Sequence, residues 1–188
     1  VDNVRQRALV VAATHAEAAH VPQQADTLIT GIGKVRAAMA LTRCLERVDA
    51  GRPFTRVINV GTAGALHDHH AGLYVPSAVI EHDISAAQLS AIGYQTTDRW
   101  EVDGGDGSVL ATGDMFVTEA VHRARLSERA DLVDMEGAAL ANVCERYRLP
   151  LTLVKVVSDQ ADDSAMDWPE VVDAAARDLA CWLVDAGL

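Results

Sequence analysis

One stretch constrains this chain more than any other: residues 131–162, DLVDMEGAALANVCERYRLPLTLVKVVSDQAD. It reads as strand, helix, strand. The first strand covers Asp131 to Asp134, a helix runs on to Tyr147, and Pro150 marks the restart as strand over the apolar run Leu151 to Val157. Strands joined in parallel through a helix bring their C-terminal ends to one edge of a sheet. Ligands of open α/β sheets bind at that edge. Glu136 follows the first strand and Asp159 follows the second, so two acids arrive at the edge where chemistry is done.

Other short apolar runs extend the pattern. Ala8–Ala13, Thr27–Thr30, Val57–Val60, Tyr74–Ile84 and Val109–Thr112 read as further strands. Helices are expected over Lys34–Val48, Thr118–Glu128 and Trp168–Val184, the last with Pro169 in its first turn. About seven strands against four helices predict an α/β fold: one three-layer domain over residues 1–188, with a mixed central sheet flanked by helices. Hydrophobic residues make up 49% of the chain but aromatics only 4%, so the core is Ala, Val and Leu.

Composition also narrows the partners. A net charge of -11 argues against a nucleic-acid surface. No apolar run reaches membrane-spanning length and no basic-apolar leader precedes the first strand, so no membrane partner is expected. Cys44, Cys144 and Cys181 lie far apart in helical patterns and read as buried thiols of a reducing, cytoplasmic compartment.

The loops carry the candidate chemistry. Glu17 follows the first strand; by itself it reads more readily as a solvated loop or first-turn glutamate than as a site residue. Gly31-Ile-Gly-Lys34 forms a turn into a helix, but it lacks the GxxxxGK[ST] spacing of a P-loop. Gly61-Thr-Ala-Gly64 reads as a turn of small residues that lets a ligand near the backbone. The run His67–His70 (HDHH) fits no standard metal spacing and reads as solvated. Residues 96–108 (TTDRWEVDGGDGS) read as a polar loop. Phe116 at a strand exit suits the core or the face of a flat ligand.

AATHAE, GIGKV, VINVGTAGAL, EHDISAAQLSAIGY, LATGDMFV, VDMEGAALANVC and VKVVSDQAD occur in this order, and together they resemble the nucleoside phosphorylase/nucleosidase family. The closest resemblance is to its methylthioadenosine/S-adenosylhomocysteine nucleosidase branch. The resemblance implies hydrolysis of the N-glycosidic bond of an adenine nucleoside, without a cofactor or a metal, by a homodimer. It implies that Asp159 protonates N7 of the leaving purine and that Glu17 activates the attacking water. Glu136 would grip the ribose hydroxyls and Met135 would pack under the sugar. Phe116 would stack on the base, the backbone of Val117 would read the base edge, and Thr62 and Gly64 would lie beside the sugar. Lys155 stands where nucleosidases usually carry arginine, and is expected to help position sugar or water.

Two alternatives stay open. Phosphorylases of the family carry a phosphate-binding arginine in the first loop; ATHAEAAH has none, and a carboxylate at Glu17 would repel phosphate, which favours water. The spans from Glu17 to Gly31 and from Tyr94 to Leu110 are shorter than the family pattern. That leaves room for a more open pocket, or for a protein that binds nucleosides without cleaving them.

Overall fold

Alternating apolar strands must bury both faces, and the chain does so around one mixed sheet. The computed structural model describes residues 7–48, 51–161 and 168–188. Its elements are β1 (Ala8–Ala12), β2 (Asp26–Ile29), α1 (Lys34–Arg47), β3 (Arg56–Ala65), β4 (Leu73–Tyr74), β5 (Ala78–Glu81), α2 (Ala86–Ala91), β6 (Arg99–Glu101), β7 (Val109–Thr112), α3 (Ala120–Ser127), β8 (Leu132–Asp134), α4 (Gly137–Tyr147), β9 (Leu151–Asp159) and α5 (Trp168–Asp185). The fold is the expected α/β arrangement, a mixed central sheet with helices on both faces.

β3 is the spine. Its first half lies parallel to β1 on one side, and it runs parallel to β9 on the other from Val57 to Gly64; its last residues, Gly64 and Ala65, pair antiparallel with β8. From β8 the sheet continues through β7 and β5 to β6, and β4 closes the free side of β9. A register shift between Ala63 and Gly64 accompanies the change of partner. Bulges of this kind bend a strand and re-aim its side chains.

The strand period of two sorts side chains between the layers. Leu9, Val11, Val57, Leu151 and Leu153 face α1 and α4. Val10, Ile58, Val60, Val154 and Val156 face α5, and Ile80, Ala111 and Val133 pack with Leu126 of α3. Each fully buried aliphatic side chain contributes roughly 1.5–3 kcal/mol. Among the described residues no helix is long and apolar enough to cross a membrane.

Several segments depart from the sequence reading. Gly61–Gly64 is not a turn but the second half of β3. The strand expected over Tyr74–Ile84 is broken near Pro76, which cannot donate to a ladder, into β4 and β5 with different partners. The polar 96–108 stretch contains β6, because Trp100 turns inward and its indole N–H donates to Glu145 Oε2 at 3.1 Å. The short helix α2 carried no clear apolar stripe and was not anticipated; none of its residues is buried. The histidine run is not uniformly solvated: His70 is buried, with Nδ1 3.1 Å from the Asp131 carbonyl. Cys144 is buried, but Cys44 only partly, and Cys181 is exposed.

Candidate active site

The C-terminal ends of β1, β3, β8 and β9 meet around a cavity of about 340 Å³, lined by Glu17, Glu136 and Asp159 together. That lies within the range of about 300–1,000 Å³ usual for small-molecule sites. Thr62, Gly64, Met135, Phe116 and Val117 line the same cavity. Eight of the nine site residues expected from sequence are thus brought to one place.

Glu17 sits in the turn after β1 and is buried. Its Oε1 accepts from the Thr62 amide at 2.9 Å and the Thr62 hydroxyl at 3.1 Å. Its Oε2 accepts from the Thr14 amide at 3.0 Å and hydroxyl at 2.9 Å. Four donors fix the plane of this carboxylate, held by Thr14 from the bend after β1 and by Thr62 from β3. The small residues of β3 explain themselves here. A Cβ on Gly61 would stand 3.0 Å from Glu17 Oε1, and one on Gly64 only 2.8 Å from Asp159 Oδ1. The carboxylates lie directly over the strand, which is why GTAG reads as a turn by composition yet folds as a strand.

Asp159 ends β9. Its Oδ2 accepts from the Ser158 hydroxyl at 2.7 Å and its Oδ1 from the Ala161 amide at 2.9 Å. Glu136 lies between β8 and α4, and its Oε1 accepts from the Gly33 amide at 2.8 Å. Burial, then the neighbouring Asp134 carboxylate, push Glu136 up to about 7; Lys155 and the Gly33 amide oppose this, and Glu17 adds to it. Burial thus disfavours the charged form of Glu136, so a ribose grip that needs its anion must draw that charge from the ligand's own hydrogen bonds.

Lys155 is the site residue that does not line the cavity. It is only 1% exposed and lies beneath the floor, its Nζ 2.9 Å from Asp134 Oδ2. It supports the site through Asp134 and does not reach the ligand space. Burial draws its pKa down, but Asp134, Glu136 and Glu17 outweigh that and leave it raised. Asp134 in turn accepts from Thr112 Oγ1 at 2.5 Å and from the Gly137 amide at 3.0 Å, tying β7 and the start of α4 to the pair. Asp134 was missed as a lining residue. Its signal was available: one lysine in LTLVKVV and one aspartate in LVD, each inside an apolar strand, mark a buried ion pair. Ile32 and Met115 were also missed. They are exposed apolar residues at the cavity rim with Phe116, which is 56% exposed. Among the described residues no group of three or more His, Cys, Asp or Glu is arranged to hold a metal.

Comparison with known proteins identifies the family and the fold. The model of the Phosphorylase superfamily matches residues 107–185. The 5′-methylthioadenosine/S-adenosylhomocysteine nucleosidase of Bacillus cytotoxicus is 30% identical over 177 residues, 79% of this chain and 74% of that protein. That of Shewanella frigidimarina is 28% identical, over 85% of this chain and 80% of that protein. In three dimensions the chain superposes on the Helicobacter pylori protein of the same name, complexed with a substituted pyrrolidin-3-ol, with a TM-score of 0.81 at 22% identity, covering 96% of this chain and 97% of that one. It also superposes on Helicobacter pylori futalosine hydrolase with a TM-score of 0.79 at 21% identity, covering 97% of each chain. These two likenesses speak for the fold, and the sequence identity to the Bacillus protein carries the family. The chain belongs to the methylthioadenosine/S-adenosylhomocysteine nucleosidase family of the phosphorylase superfamily, and is an N-glycosyl hydrolase.

Proposed function

We propose that this nucleosidase hydrolyses adenine nucleosides of the methylthioadenosine/S-adenosylhomocysteine type, releasing free adenine and a 5′-substituted ribose. The observation that carries the reading is the convergence of Glu17, Glu136 and Asp159 on one cavity beside Met135 and Phe116. The relatives' name supplies the substrate class.

N-glycosidic cleavage passes through an oxocarbenium-like state, as in O-glycoside hydrolysis. Three jobs follow: protonate the base, stabilise the positive sugar, deliver the nucleophile. In this reading Asp159, at the end of β9, hands a proton to N7 of the leaving purine. Such help is typically worth about 10²–10⁴ in rate. Glu136 takes hydrogen bonds from the ribose hydroxyls. Those bonds favour its charged form and oppose the burial that raises it, so nucleoside binding shifts Glu136 towards its anion. The resulting anion then faces the developing sugar cation. Glu17, its plane fixed by Thr14 and Thr62, orients the attacking water. Met135 packs under the sugar, Thr62 and Gly64 flank it, Phe116 stacks on the base and the Val117 backbone reads its edge.

Water is preferred over phosphate because Glu17 presents negative charge where a phosphate nucleophile would have to sit. We further propose a homodimer: Ile32, Val35, Met39, Met115 and Phe116 are all more than half exposed, an apolar surface beside the pocket mouth that a second copy would cover. Light scattering on the purified protein tests this, and a monomer at micromolar concentration would refute it.

The function is tested by incubating the protein with methylthioadenosine, S-adenosylhomocysteine, adenosine, inosine and futalosine, with and without phosphate, and assaying free base. Adenine release independent of phosphate is expected. A strict phosphate requirement would make the protein a phosphorylase. Preference for the 6-oxopurine substrates would overturn the adenine assignment, and tight binding without turnover would leave a nucleoside-binding protein.

A further inference from the structure

The strongest charge cluster outside the cavity is centred on Lys34. Its Nζ lies 2.7 Å from Glu81 Oε1 and 2.5 Å from Asp83 Oδ1, at the end of β5 and just beyond it. Asp83 Oδ2 accepts from the Asp114 amide at 3.0 Å, and Asp114 Oδ1 accepts from the Lys34 amide at 2.9 Å. The bonds close a ring through three segments distant in sequence: the start of α1, the exit of β5 and the loop after β7.

Two of those segments are walls of the cavity. Next to Lys34, the Gly33 amide holds Glu136 and Ile32 lines the pocket. Next to Asp114 stand Met115, Phe116 and Val117. Gly31 and Gly33 both have positive φ, 83° and 98°, and glycine leaves such a turn free to swing. Helix α1 has no side-chain cap from its own N-terminal residue and no acid in its first turn. Asp114 supplies the missing acceptor from another element.

We propose that Lys34 is a positioning residue for glycosidic cleavage: clamped between Glu81 and Asp83, it locks the Ile32–Lys34 turn to the Asp114–Val117 loop, and so fixes the carboxylate that grips the sugar relative to the ring that stacks on the base. The role of the two walls rests on the function proposed above; the clasp itself is a matter of bonds within the protein. An isolated exposed ion pair would contribute little. This one is mostly shielded from solvent, with the Lys34 side chain 17% exposed, Glu81 20% and Asp83 28%. Burial draws Lys34 down, but the hydrogen bonds it donates to Asp83 and Glu81 leave it raised, so it stays charged across the assay range.

The test reads Glu136 through the Gly33 amide. Asp134, Lys155 and Glu17 also face Glu136, and the variants leave all three in place. Compare K34M, D83A, the double variant and K34R with wild type. Record kcat/KM for methylthioadenosine from pH 5.5 to 8.5, and titrate the Glu136 carboxyl of the ligand-free protein by NMR. K34M and D83A should each lower kcat/KM about tenfold. The double variant should lose about the same tenfold, not the product, because either change opens the ring. In both single variants the Glu136 midpoint should rise by about one pH unit, as the charged form loses an amide donor. K34R, which keeps the cation, should recover most of both effects. An unmoved Glu136 midpoint in K34M and D83A, or losses that multiply in the double variant, would overturn the proposal. If K34M does not fold, D83A poses the same question from the other partner. A wild type that releases no base from any nucleoside would overturn the functional reading instead, and the Glu136 midpoint would still decide the clasp.

Discussion

Replacing Glu136 by glutamine should make the protein more stable and less active, and the stability gain should depend on pH in a set way. The wild-type carboxyl is pushed from an ordinary 4.5 up to about 7, first by burial and then by Asp134. The sign follows from linkage. A carboxyl that titrates higher in the folded state binds its proton more tightly there. Its favourable contribution is complete below 4.5 and is lost as pH climbs through 7. A displacement of about 2.5 pH units, at 1.36 kcal/mol each, corresponds to about 3 kcal/mol withheld from the wild type by pH 7.5. Glutamine has no charge to hold and can still accept from the Gly33 amide. Its extra N–H donors, imperfectly paired, cost about 1 kcal/mol. About 2 kcal/mol remains, which for a chain of this size raises the melting temperature by about 4–8 °C. Melting curves of both proteins by circular dichroism, from pH 4.5 to 8, check this. The gap should be small or reversed at pH 4.5 and should open towards pH 7.5. A gap that does not change with pH, or a variant less stable throughout, would refute the account of Glu136 as a strained buried acid. In the same variant kcat/KM should fall by about 10²-fold, since the anion facing the sugar cation is gone.

Other substitutions separate the remaining roles. Asp159→Asn should cut adenine release by about 10²–10⁴ while nucleoside binding, measured by calorimetry, stays within a few fold; undiminished turnover would remove Asp159 as the acid. Gly64→Ala places a methyl group 2.8 Å from Asp159 Oδ1 and 3.1 Å from Ala161 Cβ, so it should displace the acid and lower kcat by about 10²-fold, with the larger loss in kcat and not in KM. Lys155→Met leaves Asp134 buried without its cation and should cost about 3–5 kcal/mol in denaturant unfolding; a loss below 1 kcal/mol would show the pair to be dispensable.

Much of this architecture could be read from residues alone, for a physical reason. Strands buried on both faces must be apolar throughout, and ALVVA, VINV and LTLV declare themselves. Acids placed just past such runs point to the sheet edge, and Glu17, Glu136 and Asp159 do meet there. What escaped was whatever depends on a partner distant in sequence. Gly61–Gly64 looks like a turn until Glu17 and Asp159 are seen lying over it. Lys155 looks like a ligand-binding cation until β3 brings β8 and β9 close enough for Asp134 to take it. Trp100 sits in a polar run, and nothing local says that Glu145 of α4 will receive its indole N–H. The Lys34 ring was invisible for the same reason: its bonds join positions 31 to 80 residues apart.

The single long strand β3 has a consequence for how this protein comes apart and how it tolerates remodelling. It is hydrogen-bonded to β1, β9 and β8, and its residues Thr62 and Gly64 lie under the reaction centre. The floor of the pocket is therefore tied to the rest of the sheet; the ladder amides of β3 should exchange with deuterium only when the sheet melts, whereas the Thr62 amide, held by Glu17, should follow the turn after β1. The rim loops carrying Ile32 and Phe116 are held differently, by the Lys34 clasp that reaches Glu81 at the end of β5 and Asp83 beyond it. Remodelling those loops should change what enters the pocket and spare its floor only where the clasp is kept, a division of labour between a fixed floor and a fastened roof.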